Sequence, residues 1–241
     1  MNDIRRCLIA IVPIDMVVAA AAMGRLSYVD QTRRVEAMPD NDPPPTQLVR
    51  GPESQEASDF GPFAGSIHVD YYWGQQGYDY GGVAEVVQNS TLSPSGVVAT
   101  GSVYALGDTV WTRAASLMST TFDVSAATPY MLTTRYEYLY PTGFSRNVGV
   151  VLQRVEAGGN VDLLRREMLL NRGRFADGIY VEGATDRGVL APGLYTLQYA
   201  FTTGSDDFSN PESYSYDARL VVPDPSAALL LPGCLLLRRR R

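Results

Sequence analysis

Two stretches near the end of the chain constrain the fold more than anything else in the sequence. In residues 195–203, YTLQYAFTT, the series Tyr195, Leu197, Tyr199 and Phe201 alternates with Thr196, Gln198, Ala200 and Thr202. In residues 213–222, SYSYDARLVV, the series Tyr214, Tyr216, Ala218, Leu220 and Val222 alternates with Ser215, Asp217, Arg219 and Val221. A period of two places each series on one face of a β-strand, whereas a helix would turn successive members about 200° apart. The same alternation predicts strands over 64–72, 84–88, 96–106, 119–125, 130–140 and 148–152. Residues 161–170, VDLLRREMLL, follow a glycine turn and read either as a further strand or as a short helix. That makes about nine strands between 60 and 222, with no strand–helix–strand repetition. A single sheet that large would leave an apolar face in water, so the expectation is an all-β, antiparallel β-sandwich, jelly-roll-like in its winding. The tyrosines of the two late strands are expected to face the core with their hydroxyls at its rim.

Composition narrows the chemistry. All 20 basic residues are arginine, His68 is the only histidine, and the formal charge is −6. With no lysine there is no Schiff-base nucleophile and no Walker-type phosphate lysine. The acid excess argues against a nucleic-acid partner. Cys7 and Cys234 sit in apolar stretches at opposite ends, leaving no disulfide framework or thiolate metal site between them. His68 is out of phase with Ile67 and Val69, which puts it on the polar face of its strand beside Asp70. The expectation is a protein that is not an enzyme.

The two ends of the sequence read as handling signals. Residues 1–22 carry Arg5 and Arg6 ahead of an apolar run that closes on small residues, the order of a secretory signal peptide cut after Ala22. Residues 23–59, with the triple proline 43–45 and little periodicity, are expected to be a flexible leader, and 60–222 the β-sandwich domain. In residues 223–241, Pro223, Asp224 and Pro225 precede an apolar stretch, and Arg238, Arg239, Arg240 and Arg241 close the sequence. A proline pair, an apolar segment and a cationic cluster held at an anionic leaflet resemble the PEP-CTERM sorting signal of exported bacterial proteins, with Asp224 where glutamate is usual. Residues 190–197, LAPGLYTL, resemble a strand-opening pattern common in uncharacterised, β-rich proteins with such tails. The resemblance implies export machinery and an exosortase-like transpeptidase as partners. It also implies delivery to the cell surface or extracellular matrix, with transient inner-membrane association through the tail, and a structural or adhesive role there.

A sharper alternative comes from residues 71–80, YYWGQQGYDY, which run from the end of the 64–72 strand into WGQQGYDYGG, 73–82, read as a glycine-dense loop. Tyr71, Tyr72, Trp73, Gln75, Tyr78 and Tyr80 combine flat rings, which stack on sugars, with an amide that hydrogen-bonds hydroxyls, the mix a carbohydrate-binding module uses for a matrix polysaccharide. Trp111 could extend such a platform, and the competing reading makes Trp73 a plug at the end of the core. A lower alternative uses Asp79, Asp206 and Asp207, with Asp217, as oxygen ligands for Ca²⁺; no other cofactor is implied.

Overall fold

The computed structural model describes residues 24–39, 53–75, 78–107, 112–139, 147–167, 179–205 and 212–223. Within these strands the side chains at 39, 71–75, 78–80, 138–139, 147–148, 167, 179–182, 205 and 212 lie outside the description. The described residues form twelve strands and no helix: β1 Leu26–Pro39, β2 Glu53–Glu56, β3 Phe63–Gln75, β4 Tyr78–Ser93, β5 Gly96–Gly107, β6 Thr112–Val124, β7 Thr128–Leu139, β8 Asn147–Glu156, β9 Gly159–Glu167, β10 Ile179–Leu190, β11 Gly193–Ser205 and β12 Glu212–Val221. They pair antiparallel into two six-stranded sheets, β2-β1-β6-β11-β8-β9 and β10-β7-β12-β5-β4-β3. The sheets pack face to face, so the all-β sandwich expected from the alternation is the fold.

The two late strands are central in their sheets, and both predicted series are buried: Tyr195, Leu197, Tyr199 and Phe201 from β11, and Tyr214, Tyr216, Ala218, Leu220 with Val222 from β12. They meet across the core where Phe201 and Tyr216 stack with ring centroids 3.8 Å apart. Gly101 makes room for this stack, because a Cβ there would press on the Val87 carbonyl and the Tyr216 ring. The tyrosine hydroxyls do not all reach the rim. Tyr195 donates to the Ala191 carbonyl at 2.7 Å, but the Tyr216 hydroxyl lies within the core, 2.6 Å from Ser116 Oγ, which in turn donates to Gln88 Oε1. Tyr199 OH is buried with no hydrogen-bond partner among the described residues.

Three strands beyond the nine expected come from β1, β2 and β10. The flexible leader predicted over 23–59 is corrected for its described parts, since β1 runs between β2 and β6 as an interior strand. Its period is hidden by a bulge between Tyr28 and Asp30, which shifts the inward series to Gln31, Arg33, Val35 and Ala37. The buried member Arg33 also disguises it. The Arg33 guanidinium is 0% exposed and is caged by acceptors: Gln31 Oε1 at 2.9 Å, the Gly61 carbonyl at 2.7 Å, the Asp59 carbonyl and, more weakly, the Ser90 carbonyl. Phe63 lies under it, 5.8 Å from ring centroid to Cζ. The residue ties β1 to the 57–62 connection and to the opposite sheet. Burial pulls its pKa down, with the Asp59 charge working the other way. On the opposite side of the sandwich, Arg166 of β9 forms a bidentate pair with Asp186 of β10, both bonds at 2.7 Å, which joins the two edge strands.

The connections divide between two poles. At one are short turns: Pro94-Ser95, the 125–127 link, Ala157-Gly158 and Ala191-Pro192, with glycines at positive φ at Gly96, Gly159 and Gly193 where only glycine is unstrained. Both ends of the described chain arrive at this same pole, for Leu26 N donates to the Pro94 carbonyl and Val222 N to the Ser95 carbonyl. At the other pole lie the strand ends that lead into residues 40–52, 76–77, 108–111, 140–146, 168–178 and 206–211, all outside the described residues.

Candidate functional site

Residues 73–82, read as a loop, are instead the distal part of the β3–β4 hairpin, apart from Gln76 and Gly77, which lie outside the described residues. Its pairs are Tyr71 with Gly82, Tyr72 with Gly81, Trp73 with Tyr80, Gly74 with Asp79 and Gln75 with Tyr78, leaving only Gln76-Gly77 to connect the strands. The glycines that suggested a loop are spread along paired strands, and the β-preference of tyrosine and tryptophan prevails. Gly82 fits so tightly on Thr112 of β6 that a side chain there would overlap it. In the other sheet the last described row at this level is Pro39, Thr112 and Ser205. From Gly82 to Tyr78 the hairpin extends about 13 Å further at ~3.3 Å per residue.

Strand alternation sorts the candidates by face. The core-facing series Ile67 and Val69 continues to positions 71, 73 and 75, and the series Val86 and Ala84 continues back to 82, 80 and 78. Tyr71, Trp73, Gln75, Tyr78 and Tyr80 therefore share one face of the hairpin, and Tyr72 and Asp79 occupy the other. The side chains themselves lie outside the described residues. Trp111, Asp206 and Asp207 lie outside the described residues; in sequence they adjoin Thr112 and Ser205, the ends of β6 and β11 at this pole.

Just below the hairpin, on the outer face of the sheet, His68 is exposed as predicted. It interacts with Asp70 at 3.4 Å through Nε2 and with Glu85 at 2.6 Å through Nδ1. Glu85 was not visible from sequence because it depends on the β3–β4 register; counting outward from a two-residue Gln76-Gly77 turn would have paired it with His68. Tyr104 of β5 stands opposite Glu85, and its hydroxyl pKa is raised by partial burial and by that carboxylate. Among the described residues no group of three or more His, Cys, Asp or Glu is placed to hold a metal ion. Asp217, offered above as a calcium ligand, is instead engaged by Arg219 through both carboxylate oxygens, at 2.7 and 2.6 Å.

Pro223 is exposed at the end of β12, on the pole of short turns; Asp224, Pro225 and Arg238–Arg241 lie outside the described residues, as does the 1–22 segment. The predicted sorting motif therefore begins at the end of the molecule opposite the aromatic hairpin, one length of β12 away.

No protein-family model matches the chain, and no curated protein does. Among solved structures it shows similarity to the CBM22-1 xylan-binding domain of Paenibacillus barcinonensis Xyn10C, at 11% identity over 67% of this chain and 85% of that one, with a TM-score of 0.24. It also shows similarity to the infectious bursal disease virus Gt strain structure, at 9% identity over 84% of this chain and 57% of that one, with a TM-score of 0.26. At such scores neither likeness carries an argument about this chain.

Proposed function

We propose that this protein is an exported, non-catalytic adhesive β-sandwich whose distal hairpin binds an extracellular polysaccharide. The observation that carries the reading is the two-pole arrangement. By register, positions 71, 73, 75, 78 and 80 share one face at the end of the β3–β4 hairpin, while both ends of the described chain leave from the opposite pole. A domain tethered through its C-terminal segment holds such a hairpin outward, away from the surface that carries it. Aromatic rings supply the stacking platform, Gln75 the oriented polar group, and the acid excess keeps polyanions away. Asp206 and Asp207, which follow Ser205 in sequence, are the residues to which a bridging Ca²⁺ would be assigned.

Tryptophan fluorescence tests the ligand reading, because Trp73 lies in this hairpin and Trp111 is the only other tryptophan in the sequence. Titration of the whole protein with soluble β-glucans, xylans and the exopolysaccharide of the source cells should shift the emission, and Trp73→Phe should remove most of that shift. An emission unchanged by every polysaccharide leaves the purely structural role. The export reading is tested separately by intact-mass analysis of secreted protein, which should begin near Met23 and lack Arg238–Arg241. Recovery of the full-length chain from the cytosol would refute it.

A further inference from the structure

The four edge strands are not protected alike. On one side of the sandwich the edges β2 and β3 are stapled together, because the Gln55 carboxamide accepts from Ser66 N–H at 3.0 Å and donates to Ser66 C=O at 2.9 Å. A side chain thus occupies the backbone groups that a neighbouring strand would use. On the other side the Arg166–Asp186 pair ties β9 to β10, but among the described residues no side chain occupies the outward backbone groups of β9 from Gly159 to Leu163. Within its sheet β9 pairs only with β8, and from Gly159 to Leu163 every residue is exposed, including Val161 at 46% and Leu163 at 44%. An unpaired edge carrying apolar side chains is a template for another strand.

The charges on β9 specify which strand. Leu163 is the extra residue where the β8–β9 register shifts, so Asp162, opposite Gln153, and Arg165, opposite Val151, fall on the same outer face although three residues apart. They form an ion pair at 2.6 Å within the strand. The sequence Asp162-Leu163-Leu164-Arg165 is self-complementary when read against itself in the antiparallel sense. With Leu163 the extra residue in each copy, a two-fold axis perpendicular to the sheet and passing through Leu164 sets Asp162 of each copy opposite Arg165 of the other. The geometry points to β9 as a homodimer edge: a second copy of this chain adds across it, continuing the six-stranded sheet into one of twice the width through an isologous contact. β10, the edge of the other sheet on the same side, then runs beside its own copy. This inference is independent of any polysaccharide ligand.

Sedimentation velocity of the full chain across a dilution series should show a species of twice the 26.3 kDa chain mass at the concentrated end. Asp162→Arg sets like charges opposite one another at two symmetric places and should weaken the association by at least about tenfold. The double exchange Asp162→Arg with Arg165→Asp restores complementarity and should restore the dimer, a rescue that a fold defect would not give. Leu163→Lys should also yield monomer. A wild type that stays at the single-chain mass throughout overturns the proposal, as does a dimer that survives both Asp162→Arg and Leu163→Lys unchanged, which would place the contact elsewhere, for instance in the apolar C-terminal segment.

Discussion

Arg33→Met removes a buried cation while keeping most of its apolar stem, and its cost follows from the cage. Three acceptors of the guanidinium, Gln31 Oε1, the Gly61 carbonyl and the Asp59 carbonyl, are at full hydrogen-bond contact, and the Ser90 carbonyl at 3.5 Å adds little. Hydrogen bonds to a charged group contribute about 1.5–3 kcal/mol each, so the three taken alone suggest roughly 4–9 kcal/mol. Two effects reduce this. The Asp59 and Gly61 carbonyls are only partly buried and regain water, and neutral methionine avoids the desolvation of a buried cation, an offset of several kcal/mol. The remainder is about 3 kcal/mol, equivalent to a fall in Tm of roughly 6–12 °C for a chain of this size. Arg33→Lys should cost nearly as much, because an ammonium lacks the planar fork that reaches several carbonyls at once. Thermal and urea unfolding give the magnitude, and amide exchange should show residues 57–62 opening first. A methionine variant as stable as the wild type would refute the argument, since it would mean that the carbonyl cage does no more than offset the burial of the charge.

Two tyrosine deletions should diverge. Tyr216→Phe loses the bond to Ser116 inside the core and should cost about 1 kcal/mol, whereas Tyr199→Phe removes a buried hydroxyl with no hydrogen-bond partner among the described residues and should be neutral or stabilising by urea denaturation. Burial raises the pKa values of Tyr28, Tyr199 and Tyr216. The unfolded chain therefore releases these protons first, near pH 10, so their contribution is intact below that pH and is lost as pH climbs toward the folded values, at about 1.4 kcal/mol per pH unit for each tyrosine. Stability measured from pH 8 upward should be flat to about pH 10 and then fall steeply; a curve level through pH 11 would contradict the burial of these hydroxyls.

How legible each part was in the sequence depends on whether its pattern is local. β11 and β12 could be read directly because interior strands with one face in the core alternate without interruption. β1 could not, because a bulge after Tyr28 moves the inward series by one residue and a buried arginine stands where an apolar residue is expected. β10, IYVEGATDRGVL, has one partner strand and carries two glycines and three charges, so its alternation is too weak to recognise. The aromatic candidates at 71–80 were conspicuous by composition. Their shared face, and the Glu85 partner of His68, came from strand register, which a sequence shows only once Gln76-Gly77 is taken as the two-residue connection of a hairpin.

The account rests most heavily on the distal hairpin as a ligand platform, and Trp73→Ala tests it directly when a thermal melt is paired with a polysaccharide pull-down. If Trp73 serves as a platform residue, its truncation changes stability by no more than about 0.5 kcal/mol, while retention on the polysaccharide that the wild type binds is abolished. A loss of roughly 3–5 kcal/mol, together with a wild type that is retained on no polysaccharide, would make Trp73 a plug of the core and contradict the binding function.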